Sequence, residues 1–343
     1  MIAIFEQGLI MGIMALGVFL SFRILNMPDL TVDGSFALGG AVSVSLLITG
    51  TPALTALLSG AIFGGLAGMI TALIHRKLKV NPLLAGILVM TMIYSVNLRI
   101  MNGPNLPIPS INITNTMKSY EEITGEDPLA GLFGDAESTN ESKSDIMVSR
   151  NANTSNNIFS TDGTFGNLII LLLFALIVVI LMGIFLRTDL GMVMRGFGSN
   201  PDGVQAFGVP KTFIAVLGFV IANALVGLSG GLFALYSGFS DVTMGQGMIV
   251  TGLAMVMLGE ILFGRRKILF GLLAPIIGAI IYQAILALVM RYGYRIGFRS
   301  SDMKLLTALF IVGMIGISLL SKKRKSTFKL EVRKLWSNSK TSV

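Results

Sequence analysis

RTDLGMVMRGFGSNPDGVQAFGVP, residues 187–210, is a polar, glycine-rich interruption between two runs, 168–186 and 213–236, that are apolar almost throughout. Connections between helices in a bundle usually take only ~2–8 residues. This one is longer, so it is either an elaborated connector or a surface built for docking. Ser199, Asn200 and Pro201 suit a helix start, since cap-type oxygens satisfy free N–H groups and proline fits the first turn. A short helix over 200–208 is expected, lying across one face of the membrane with Gln205 and Ala206 outward.

The rest of the chain agrees with that setting. It has 343 residues, 53% hydrophobic and 13% charged, with 40 Gly and a mean hydropathy of +0.79. That is well beyond what a soluble core requires, and it defines an integral membrane protein. The absence of Cys excludes disulfide frameworks and thiolate metal sites. A single His, His75, excludes a histidine-cluster metal site. The net charge of +8 sits at the ends of apolar runs, where it marks membrane orientation rather than nucleic-acid binding.

A helix needs about 20 apolar residues to cross the hydrocarbon, because lipid offers its backbone no other partner. Nine spans are expected: 4–25, 32–48, 53–74, 82–101, 168–186, 213–236, 248–263, 268–290 and 305–320. The first lacks the basic start and cleavage site of a signal peptide and is read as retained. The fold class is all-α and polytopic, with the second span short or broken. It divides into a helix group at 1–101, an external loop at 102–166, a second group at 167–320 containing the segment 187–211, and a basic tail at 321–343.

Lys and Arg cluster at 75–79, 187–211, 264–267 and in the tail, which places those segments on the cytoplasmic side and, with an odd span count, the N-terminus outside. Arg291, Arg295 and Arg299 dissent. The 102–165 stretch carries nine acidic residues against three basic ones and is expected outside. Its first part, 103–110, should pack on the outer mouth, and 137–157 reads as a mobile excursion. The Asn-x-Ser/Thr triplets at Asn112, Asn140 and Asn153 fit chance in this composition. In the tail, Phe328, Val332, Leu335 and Trp336 share a helical face among basic residues, which suits either an interfacial helix on anionic lipid or a disordered end.

Polar groups at membrane depth are costly and therefore informative. Asp29, Thr31, Asp33 and Ser35 follow Pro28 between the first and second spans, as an interfacial N-cap or as a broken helix beside a transport path. A related string holds Asp241 and Thr243. Aligning Asp29 with Asp241 also matches Thr31 with Thr243 and Gly40 with Gly252, the pattern of an inverted repeat. The pathway is expected along the second, third, sixth and seventh spans, with Asp29, Thr31, Asp33 and Ser35 near one end and Asp241 and Thr243 near the other. Gly60, Gly64 and Gly68 recur every fourth residue, as do Gly227 and Gly231; such faces pack tightly or slide during gating. Glu260 has Arg265 and Arg266 close by in sequence for an ion pair. Few acids are buried, so ion coupling has little support.

At this point the opening stretch becomes specific. Gly191, Arg195-Gly196, Gly198, Ser199-Asn200-Pro201, Ala206 and Gly208-Val209, leading into the Ala/Gly-rich 220–231, resemble the cytoplasmic loop of ABC-importer permeases of the branched-chain amino acid and ribose type. Asp29-Leu30-Thr31-Val32-Asp33-Gly34-Ser35 is similar to the Asp-Leu-Ser-Val-Gly-Ser signature of the sugar permeases in that group, with one extra residue. The resemblance covers nearly the whole chain, and within the family it looks most similar to the branch linked with tryptophan and tyrosine.

The resemblance implies a bacterial plasma-membrane permease that works with a second permease copy, two cytoplasmic ATPase subunits and an extracytoplasmic binding protein. Arg195, Gly198, Ser199, Asn200, Pro201, Gln205, Ala206, Gly208 and Val209 would couple it to the ATPase. No Gly-x-x-x-x-Gly-Lys-Ser/Thr loop occurs, so ATP and magnesium belong to the partner and the chain carries no cofactor of its own. The expected solute is an amino acid. Alternatives are a sugar or nucleoside importer, an exporter subunit and an ion-coupled secondary transporter.

Overall fold

The computed structural model describes residues 2–108, 164–263, 268–293, 305, 307–309 and 312–313. In chain order these form α1 (Ile2–Val18), continued by a π-helical turn at Phe19–Ile24, then α2 (Thr31–Ile48), α3 (Ala53–Lys77), α4 (Pro82–Met101) and strand β1 (Asn105–Pro107). Further along the chain come α5 (Thr164–Phe185), α6 (Asp189–Ser199), α7 (Pro201–Ala206), α8 (Lys211–Ser237), β2 (Phe239–Asp241), α9 (Met248–Phe263) and α10 (Ile268–Gly293). Among the described residues seven helices are long and apolar enough to cross a membrane, and α9 is a shorter apolar one. This is an all-α polytopic membrane protein. Ile62, Phe63, Leu66 and Ile70 of α3 and most of α5 expose apolar side chains, as lipid-facing surfaces do.

The chain divides into two compact units, Met1–Gln283 and Ala284–Val343; the first holds the helix packing and the polar sites. Within it the two expected helix groups interlock, because α8 inserts between α1, α2 and α3. Small residues make that possible. A methyl at Gly64 would strike the Asn223 carbonyl, one at Gly68 the Phe219 carbonyl, and one at Gly227 the Gly60 carbonyl. Gly39 lies on the backbone of Gly227, Gly230 on that of Phe36, and Gly231 against Ser43 Oγ. Helices α2, α3 and α8 therefore meet backbone to backbone, which is how helices associate where lipid removes any hydrophobic force between them. Ser43 and Ser229 donate across helices to the carbonyls of Ala56 (3.1 Å) and Ile10 (2.7 Å), so their hydroxyls are satisfied inside the bundle.

The two ends of the bundle differ in chemistry. At the basic end Arg76 of α3 donates to the Lys211 carbonyl that opens α8 (3.5 Å). At the other end α8 closes on Gly238, whose φ of +80° suits glycine, and leads into β2. There β2 pairs antiparallel with β1, in the register Asn105↔Asp241, Leu106↔Ser240 and Pro107↔Phe239. This ribbon is an addition to the all-helical expectation, and it fixes 105–107 against the string that holds Asp241.

One expectation needs correction. The segment 187–210 holds two helices, not one, and Ser199 ends the first by donating to the Gly196 carbonyl (2.9 Å) rather than capping the second. Glu260 pairs with Arg23, 2.5 Å away on the π-helical turn, a partner not expected from the sequence. Arg265, Arg266, Arg295 and Arg299, the excursion at 137–157, the three Asn-x-Ser/Thr triplets, most of the span at 305–320 and the tail lie outside the described residues.

Candidate functional site

The break between α1 and α2 is built around two aspartates. Asp29 accepts from the Thr31 N–H (2.9 Å), an Asx turn that starts α2, and from the Asn223 amide of α8 (2.6 Å). Asn223 in turn accepts from Ser35 Oγ (2.8 Å) and donates to the Phe219 carbonyl (3.0 Å). The hydroxyls of Thr31 and Thr71 lie 2.7 Å apart, and Thr71 Oγ1 is also within 3.1 Å of the Ala67 carbonyl. All five side chains are buried. Thr71 lies about 9 Å along the helix axis from Lys77, so the network sits inside the bundle rather than at its rim.

Asp33 points elsewhere. Its two oxygens accept from the N–H groups of Gly247 and Ile249, each at 2.8 Å, so it caps α9 with a negative charge where the helix dipole favours one. Helices α2 and α9 thus begin side by side and run apart: α2 toward the ribbon end, and α9 toward the basic end, where Glu260 meets Arg23.

Asp33 also borders a cavity of about 170 Å³ whose other walls include Ala37 of α2, Tyr94 and Asn97 of α4, and Val242 and Gln246 of the turn before α9. Asp29, Thr31 and Ser35 do not line it. At the ribbon end Asp241 accepts from the N–H (2.6 Å) and hydroxyl (2.5 Å) of Thr243, the same Asp-x-Thr turn that Asp29 forms with Thr31. Asn97, Asn223 and Thr71 had no role assigned from the sequence. The signal available for each was a lone polar residue inside an otherwise apolar run.

At the basic end, α6 is capped by Thr188 and buries Gly191, Met194 and Phe197. The Arg76 guanidinium stacks over Phe197, 5.5 Å from the ring centre, and Gly198 lies against the Ile24 carbonyl, so α6 is seated on the bundle. Asn200 then caps α7 by accepting from Gly203 N (3.0 Å), with Pro201 in the first turn. Val204 turns inward, whereas Gln205, Ala206 and Gly208 are exposed and Arg195 and Val209 half-buried. Phe207 is 90% exposed at the tip. Lys211 forms a salt bridge with Asp202 and holds that carboxyl below the usual carboxylate range.

Packed membrane helices, a polar break inside them and a short helix pair at the basic end are the framework of this multi-pass membrane protein. The family model described as the branched-chain amino acid transport system permease component matches residues 1–317, and the chain belongs to that family. It is similar to the tyrosine transport system permease protein of Clostridioides difficile, 33% identical over 326 residues, covering 95% of this chain and 94% of that one. An uncharacterized protein of Rickettsia prowazekii is 30% identical over 329 residues, covering 95% and 98%. A nucleoside ABC transporter permease protein of Lactococcus lactis subsp. cremoris is 30% identical over 116 residues, covering 33% and 32%. No solved structure matches. The protein is a multi-pass permease subunit of an ABC importer.

Proposed function

We propose that this permease imports an amino acid with an aromatic side chain, delivered by an extracytoplasmic binding protein and driven by two cytoplasmic ATPase subunits attached to a pair of permease copies. ATP and magnesium act on the ATPase, and this chain supplies the path and the mechanical link. The basic end faces the cytoplasm, in keeping with Arg76, Lys77, Arg187, Arg195 and Lys211 gathered around it. The similarity to a tyrosine permease along nearly the full length supports the solute class.

The observation that carries the reading is α7. It is firmly seated by Val204 and its caps, yet it presents Phe207 almost bare at the basic end. An aromatic left exposed beside a rigid short helix is the kind of anchor that a groove on another protein buries. Through Pro210 the segment leads straight into α8, so movement of α7 by the ATPase reaches the Asp29–Asn223 network.

The test is co-purification and uptake. Phe207→Ala, or a charge placed at Gln205 or Ala206, is expected to leave the permease folded, release the ATPase and stop ATP-driven uptake. Full binding and transport by these variants would refute docking at α7. Gradient-driven uptake by the permease alone would favour a secondary transporter.

A further inference from the structure

We infer that the cavity between α2, α4 and the 242–246 turn holds the travelling solute, and that it accepts one aromatic ring together with a hydrogen-bond-donating group. This deepens the amino-acid importer reading and rests on it. The size fits: an apolar cavity of ~150 Å³ admits benzene, and this one measures about 170 Å³. Ala37, Met90 and Val242 supply apolar wall, and Tyr94 supplies a ring against which another ring can pack offset or edge-on.

The polar chemistry points the same way. Asn97 lines the cavity, is 1% exposed, and its Oδ1 has no hydrogen-bond partner. Buried polar atoms are nearly always paired, so an orphaned acceptor on a cavity wall is a place that a ligand donor completes. Asp33 borders the same space, its carboxylate held in place by the N–H groups of Gly247, Met248 and Ile249. Among the described residues that line the cavity there is no Lys or Arg. The site therefore offers acceptors and negative charge to an ammonium or hydroxyl, and apolar surface to a ring. It also lies where α2 and α9 begin, so a change in their relative position alters its walls.

The experiment uses the complete importer in proteoliposomes, with radiolabelled L-tyrosine as probe. Asn97→Leu is expected to lower uptake at limiting tyrosine about tenfold, the loss of one good hydrogen bond, in a complex that still assembles with its ATPase. Asn97→Ser, which keeps an acceptor, should retain part of the activity.

A second readout does not need transport. The chain has no Cys, so in Met90→Cys maleimide label found on the permease band reports position 90, and L-tyrosine should protect it. Undiminished uptake by Asn97→Leu, or labelling that tyrosine leaves unaltered in a complex that transports tyrosine, overturns the site. A wild-type complex that hydrolyses ATP but carries none of tyrosine, phenylalanine and tryptophan overturns the amino-acid reading itself, and the site with it.

Discussion

Asn223 donates its amide to the carboxylate of Asp29 at 2.6 Å, joining residues 194 positions apart in the chain. Its amide oxygen takes the Ser35 proton, so one side chain on α8 fixes both the break after α1 and the first turn of α2.

Replacing Asn223 by Leu leaves a buried carboxylate oxygen and a buried hydroxyl without partners. Each orphaned group costs ~1–3 kcal/mol, more when charged, so a loss of about 3 kcal/mol is expected. Thermal unfolding in detergent should show a clear drop. An unchanged midpoint would mean that the network contributes nothing to stability.

Gly39→Ala and Gly183→Ala should move stability in opposite directions. The new methyl at Gly39 overlaps the backbone of Gly227, where no flexible side chain can yield, and overpacking of this kind costs ~1–3 kcal/mol. At Gly183 the nearest atom is a Leu272 methyl carbon 3.6 Å away, an ordinary contact, and alanine gains up to ~1 kcal/mol of helix propensity. The same unfolding assay ranks the two, and a reversed order would contradict the packing.

Asp33→Ala uncaps α9. Amide exchange at Gly247 and Ile249 is expected to speed up by the equivalent of ~1–2 kcal/mol, while exchange at Thr31, held by Asp29, stays slow. Equal acceleration at all three sites would point to general loosening instead.

The Asp202–Lys211 contact has a defined pH window. Because Lys211 lowers the Asp202 pKa, the contact contributes fully above the ordinary carboxylate value of ~3.9 and is lost only as pH falls through the depressed value. The pair is solvent-exposed, so salt near ~0.5 M should weaken it at any pH. Comparing amide exchange across 203–211 in the wild type and Lys211→Met should show a difference at neutral pH and low salt that vanishes in high salt or strong acid.

Membrane spans, the polar break and the glycine faces were legible in the sequence because each rests on local spacing: apolar runs of membrane length, a proline beside cap-type residues, and glycine every fourth position. The helix at Asp189–Ser199 was hidden by its three glycines, which depress helix propensity although Met194 and Phe197 anchor it by burial. Partners distant in sequence were out of reach. Nothing near Asp29 names Asn223, and Glu260 has two arginines close by in sequence while its ion pair lies on the turn after α1. The cavity depends on α4 approaching the 242–246 turn, a contact set by the tertiary fold and by no motif.

The bare backbone contacts among α2, α3 and α8 have a mechanical consequence. Side chains cushion most helix interfaces and let them slip by changing rotamer, but glycine against carbonyl has nothing to compress. On the docking reading proposed above, a push delivered at Phe207 would pass through Pro210 into three helices that travel as one stiff wedge. On that reading the parts that yield are the softer seams around the wedge, where α4 and the 242–246 turn border the cavity.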